Sequence, residues 1–208
     1  MKTELTLLMP ELIIASAICI LILVNSFLSS EKRYTGLIIG SITMATCALI
    51  SLFLLLDTTN SLIFNNHYKI DNLSTGLKFT AYLTSLFIFI GTKTNKENTK
   101  SELVLLELFA ILGVSILASS NNLLTLYLGL ETLTLSMYGL VASKRSSEIA
   151  TESAMKFFIL GAISSAIFLY GVSFVYGLHG TLFFEEFNNE IINNSIDCLL
   201  YTSPSPRD

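Results

Sequence analysis

The sequence predicts an all-α membrane protein of six transmembrane helices, with its N-terminus on the outer side. Three observations predict it. The chain is 52% hydrophobic and 13% charged, with a mean hydropathy of +0.66, a composition proper to membrane proteins. Its apolar residues gather into six runs, each able to cross a hydrocarbon core of roughly 30 Å at 1.5 Å per residue. Of the eight Lys and Arg in the loops between helices, seven fall in alternate loops.

The first helix covers about residues 5–28, or about 10–28 if Pro10 opens it, since proline suits a first turn and Glu11 would then sit at the positive end of the dipole. Its apolar run is long for a signal peptide, and no cleavage site leading to a soluble domain follows. The second helix runs about 35–56. Within the polar stretch 57–72, Leu62–Phe64 and Tyr68–Ile70 flank Asn65, Asn66 and His67. This predicts a small β-hairpin at about 61–71, because Asn tolerates the positive φ of a tight turn. His67 at its tip reads as a solvated loop residue.

The third helix covers about 73–91, and Lys78 in it reads as a lysine snorkelling to the interface. Ser101 caps a fourth helix over about 102–118, with Glu102 in its first turn. The short connection 119–122 makes helices four and five an antiparallel hairpin. Helix five covers about 122–142. Helix six covers about 148–177, amphipathic at first through Glu148, Glu152 and Lys156. Residues 179–194 read as polar and irregular. The native chain is expected to occupy 1–195. The tail 196–208, with its prolines and Arg–Asp end, reads as non-native junction sequence; a disordered terminus is the alternative.

Lys32, Arg33, Lys93, Lys96, Lys100, Lys144 and Arg145 lie in the loops after helices one, three and five, whereas Lys69 alone lies in the loops after two and four. The first set therefore faces the cytoplasm or matrix, and the N-terminus and hairpin face away from it.

The composition also excludes. A net charge of −4 without a basic patch points away from nucleic acid. Cys19 and Cys47 sit in apolar runs as small hydrophobes, and no CxxC or Cys/His cluster suggests a disulfide, zinc or iron–sulfur site. No glycine-rich nucleotide motif occurs, so the chain is expected to bind no cofactor itself. Ser136, Ser164 and Ser165 lie on helices without a base nearby and read as packing residues.

Three charges lie within or near the bilayer: Glu107, Glu131 and Lys156. Glu131 is about nine residues from the outer end of helix five, near the midplane. Glu107 and Lys156 lie nearer the inner face. A carboxylate at mid-depth is costly, and such groups usually serve an ion or proton pathway. A carboxylate beside a lysine holds its proton according to the lysine's charge, which is what a proton relay needs. A static ion pair that fixes helix packing is the competing reading.

The stretch Glu102–Ala142, with ASSNNLLTLYLGLETLTLSMYGLVA at its core, resembles helices four and five of subunit N of proton-pumping NADH–quinone oxidoreductase (respiratory complex I), the counterpart of mitochondrial NADH dehydrogenase subunit 2. ESAMKFFILGAISSAIFLYGVSFVYGLHGT resembles the next helix, and LMPELIIA and IDNLSTGLK are also similar to this family. The likeness covers roughly residues 5–190.

The resemblance implies an antiporter-like fold carrying a proton channel, with Glu131 and Lys156 as proton-translocating residues and Glu107 and Lys78 as further candidates. It implies a chain that stops short of the broken helix bearing the glutamate's main lysine partner. Glu131 is then under-partnered, with Lys156 the nearest candidate, and Glu107, where relatives carry an apolar residue, a local partner for Lys156. The implied function couples electron transfer from NADH to quinone, in other subunits, to proton movement. NADH, quinone, flavin and iron–sulfur clusters belong to those subunits. The implied partners are the other membrane subunits of the complex, lipid and protons. The implied location is a bacterial inner membrane, or the mitochondrial one if the source is organellar. A cation/proton antiporter subunit of the same fold is the alternative; those usually carry Trp before the helix-five glutamate, where this chain has Leu130.

Overall fold

The computed structural model describes residues 6–27, 33–56, 60–94, 101–143 and 147–186. Among them, six helices are long and apolar enough to cross a membrane. They are α1 (Met9–Phe27), α2 (Arg33–Leu56), α3 (Asn72–Thr94), α4 (Ser101–Ala118), α5 (Leu123–Val141) and α6 (Glu148–His179). One antiparallel hairpin, β1 (Ser61–Ile63) and β2 (Tyr68–Ile70), lies between α2 and α3. The expected elements are all present, with ends displaced by a few residues. The tail 196–208 lies outside the described residues.

Helices α1 to α4 pack against one another, α5 lies along α4, and α6 lies along α5. The buried core belongs to the first four: Ile14, Leu21, Met44, Tyr82 and Leu108 are almost wholly enclosed. By contrast α6 turns Leu160, Ile163, Ile167 and Phe174 outward, as a lipid- or protein-facing helix does.

Two glycines set the α4–α5 contact. A Cβ on Gly113 would lie 2.6 Å from the Leu133 nitrogen, and one on Gly129 would lie 2.8 Å from the Leu117 nitrogen. Both obstacles are backbone, so only glycine lets these helices approach so closely.

The hairpin ties the α2–α3 connection to the α4–α5 turn. Ser61 pairs with Ile70 and Ile63 with Tyr68. Its turn takes positive φ at three successive residues, Phe64 (54°), Asn65 (50°) and Asn66 (68°). The asparagines were expected there; Phe64 was not, and it holds a conformation that costs a β-carbon residue roughly 1–2 kcal/mol. Beneath it, Ile63, Tyr68 and Ile70 pack on Leu7 and Leu8.

Beside the hairpin, Lys69 N–H donates to Ser119 O (2.8 Å) and Asn121 N–H to His67 O (3.1 Å). Residues expected to be irregular after α6 join this layer, because Asn122 bridges to Phe183. His67 is exposed, as expected, but it is not a free loop tip. Its ring contacts Phe183 and bonds to the Asn122 side chain.

Helix ends are capped locally. Asp71 Oδ1 accepts from Ser74 N–H (2.7 Å) while Ser74 Oγ accepts from Asp71 N–H (3.0 Å), a reciprocal capping box opening α3. Asn122 Oδ1 accepts from Thr125 N–H at the start of α5, and Ser147 Oγ from Ala150 N–H at the start of α6. Gly180, at φ 68°, closes α6 in the left-handed conformation. Ser101 differs from expectation. It is the first residue of α4, and its hydroxyl donates to Asn25 of α1 (2.7 Å).

Candidate functional site: the α5–α6 seam

Glu131 sits near the middle of α5, and its side chain enters the seam with α6. Residues 127, 131, 134 and 138 recur at helical spacing, which puts Tyr127, Glu131, Thr134 and Tyr138 on one face. That face and Gly161, Ser164, Ser165 and Phe168 of α6 line a partly open pocket of about 170 Å³. At ~30 Å³ per water, this is room for a few water molecules among hydroxyl groups.

Ser165 Oγ donates to Glu131 Oε1 across the seam. The approach depends on Gly161, where a Cβ would overlap the Tyr138 hydroxyl at 1.6 Å. Tyr138 is further held by edge-on contacts with Phe157 and Phe158. Toward the C-terminal end of α5, Tyr138 also borders an open groove of about 630 Å³ between α5 and the first turns of α6.

The other candidates go elsewhere. Lys156 bonds to Glu152 (2.5 Å), both largely exposed. It lies nine residues before Ser165, roughly 13 Å along the helix, so it does not reach Glu131. Nor does it serve Glu107. That carboxylate accepts from Ser85 Oγ of α3 (3.2 Å), on the side of α4 away from α6. The expectation that Lys156 is the local partner of one of these two glutamates is therefore corrected: an i,i+4 pair on its own helix is closer at hand.

Lys78 is also corrected. It does not snorkel; it is 4% exposed and forms an ion pair with Glu11 at 2.6 Å. Its ammonium donates to the Tyr68 hydroxyl (3.1 Å) and lies 4.8 Å from the centre of that ring. Burial, and then the Glu11 charge, push the Tyr68 phenol above its usual range. Glu11 and Ser165 were missed as site residues. Glu11 carried a signal. It and Lys78 both lie within the first two turns of helices that start on the same side of the membrane. Ser165 carried none, because rotation of α6 about its axis is not written in its apolar pattern.

The fold and the seam define a class: a multi-span helical membrane protein with a mid-span carboxylate on its fifth helix. The family model described as NADH:quinone oxidoreductase/Mrp antiporter, TM, matches residues 120–202, which include Glu131, Lys156 and Ser165. Proteins named NADH-quinone oxidoreductase subunit N align over most of the chain. The one from Herminiimonas arsenicoxydans is 35% identical over 90% of this chain and 40% of its own length. That from Nitrosomonas europaea is 37% identical with the same coverage. A chain of the respiratory complex I from Thermus thermophilus with bound aureothin superposes with a TM-score of 0.71 at 27% identity, covering 84% of this chain and 38% of that one. A chain of an archaeal membrane-bound sulfane sulfur reductase shares the fold at TM-score 0.77 and 18% identity, over 88% of this chain and 39% of that one. Over the length they share, this chain is similar to NADH-quinone oxidoreductase subunit N. It spans about 40% of the length of those curated relatives.

Proposed function

We propose that this chain belongs to the membrane arm of a proton-translocating NADH–quinone oxidoreductase, where it couples electron transfer in other subunits to proton movement. One observation carries the reading. Glu131 lies at mid-span, half-buried, in a partly open pocket whose lining includes the hydroxyls of Tyr127, Thr134, Tyr138, Ser164 and Ser165, and it is bonded to the neighbouring helix. A structural carboxylate gains little from such depth, whereas one that takes up and releases a proton needs hydroxyls and room for water around it.

In this reading Ser165 holds the charged form and reorients when Glu131 is protonated. Tyr127 and Tyr138 extend the hydroxyl track toward the outer and inner sides. Lys156 tunes the inner approach from a distance, and Glu107 lies off the path. The chain binds no cofactor; NADH, quinone, flavin and iron–sulfur clusters sit in partner subunits. It lies among the other membrane subunits in a bacterial inner membrane, with the N-terminus and hairpin on the outer side. The family model is shared with Mrp antiporters, but the aligned curated relatives carry the oxidoreductase name, which favours that function.

The test is Glu131→Gln in the assembled complex, in inverted membrane vesicles. NADH-driven acidification should fall severalfold while assembly is normal. Undiminished acidification at normal assembly would overturn the proposal.

A further inference from the structure

The α1–α4 bundle buries a second charged centre that the α5–α6 seam does not use. Glu11 of α1 is 9% exposed and Lys78 of α3 4%. Both meet Tyr68 of β2, whose hydroxyl donates to Glu11 Oε1 at 2.7 Å. A buried ion pair is a weak source of stability, since desolvation offsets its attraction. A pair kept only for packing would have its lone pairs satisfied. Here Glu11 Oε2 is buried without a hydrogen-bond partner, as is the Tyr82 hydroxyl one turn deeper on the Lys78 face of α3.

The Tyr68 hydroxyl also has two acceptors for its single proton. Glu11 Oε1 is one; the Ser115 carbonyl of α4, at 3.4 Å, is the other. We propose that Glu11, Lys78 and Tyr68 form a second proton-binding site at the outer end of the α1–α4 bundle, distinct from Glu131. The carboxylate gains one proton and becomes the acid. Its new O–H donates to the Tyr68 oxygen, and the Tyr68 O–H turns from Glu11 to Ser115. No other bond forms or breaks.

The groups facing this site are Lys78, Tyr82 and Asp71 at or near α3, Cys47 of α2 with its Sγ 3.5 Å from Pro10 O, Tyr68 of β2 and the Ser115 carbonyl of α4. The switch is connected outward. Tyr68 is followed by Lys69, whose N–H holds the α4–α5 turn at Ser119, so a shift of Tyr68 reaches the start of the helix that carries Glu131.

Infrared titration of the full chain in lipid nanodiscs tests this without reference to pumping. Acidification should raise a protonated-carboxyl band that is lost in Glu11→Gln, kept in Glu131→Gln and shifted in Tyr68→Phe. Amide exchange at Lys69, corrected for its intrinsic pH dependence, should accelerate severalfold with the same midpoint. If Glu11→Gln folds poorly, the neutral pair Glu11→Gln with Lys78→Met replaces it. A spectrum in which these variants remove no band, and Tyr68→Phe shifts none, means that Glu11 stays ionised and the proposal is wrong.

Discussion

Replacing Gly113 by alanine tests the close approach that places Glu131. The added Cβ would lie 2.6 Å from the Leu133 nitrogen, 2.9 Å from Gly129 O and 3.0 Å from Leu133 Cα, all backbone atoms. No side chain can rotate away. Restoring van der Waals contact requires α4 and α5 to part by about 1 Å. Such overpacking costs typically about 1–3 kcal/mol. For a chain of this size that lowers the melting temperature by roughly 2–12 °C. The assay is thermal unfolding of the purified chain in one detergent, followed by circular dichroism. Gly171→Ala is the control, because its Cβ meets nothing within 4 Å. If Gly113→Ala melts with the control, the backbone contact does not hold the two helices together and the reasoning fails.

Phe64→Gly should stabilise the hairpin, by up to about 1 kcal/mol, because it relieves positive φ at a residue with a β-carbon and that relief outweighs the added chain entropy; slower amide exchange at His67 would show it. The Tyr68 phenol is raised in the folded protein, so its contribution is complete below the unfolded value of about 10 and declines as pH rises above it. Ultraviolet titration through the range around pH 10, where an exposed tyrosine ionises, should therefore show Tyr68→Phe removing no ionisation, and losing one there would contradict its burial. Breaking the Lys156–Glu152 pair by Lys156→Ala should change the melting temperature little, as exposed i,i+4 pairs contribute about 0.3–0.5 kcal/mol; a drop like that of Gly113→Ala would mean Lys156 has a buried partner.

The six spans were legible because each apolar run must match the bilayer, and the hairpin because Asn65 and Asn66 suit positive φ. The depth of Glu131 followed from counting residues along one helix. Partnerships were less legible, since they depend on how helices rotate against one another. Lys78 was assigned from its own helix alone, where a lysine near the end normally reaches water; its partner Glu11 lies on another helix. Lys156 was matched to distant carboxylates on other helices although Glu152 stood one turn away. Ser165 could not be singled out from Ser164 and Ser136 until the structure fixed which face of α6 meets α5.

The central proposal is that Glu131 changes protonation as the oxidoreductase proposed to contain this chain turns over. Redox-induced infrared difference spectra of the assembled complex, recorded with NADH and quinone, measure that change directly. The account predicts a carboxyl band that appears with turnover, vanishes in Glu131→Gln and persists in Glu107→Gln. A turnover band unaffected by Glu131→Gln would contradict it.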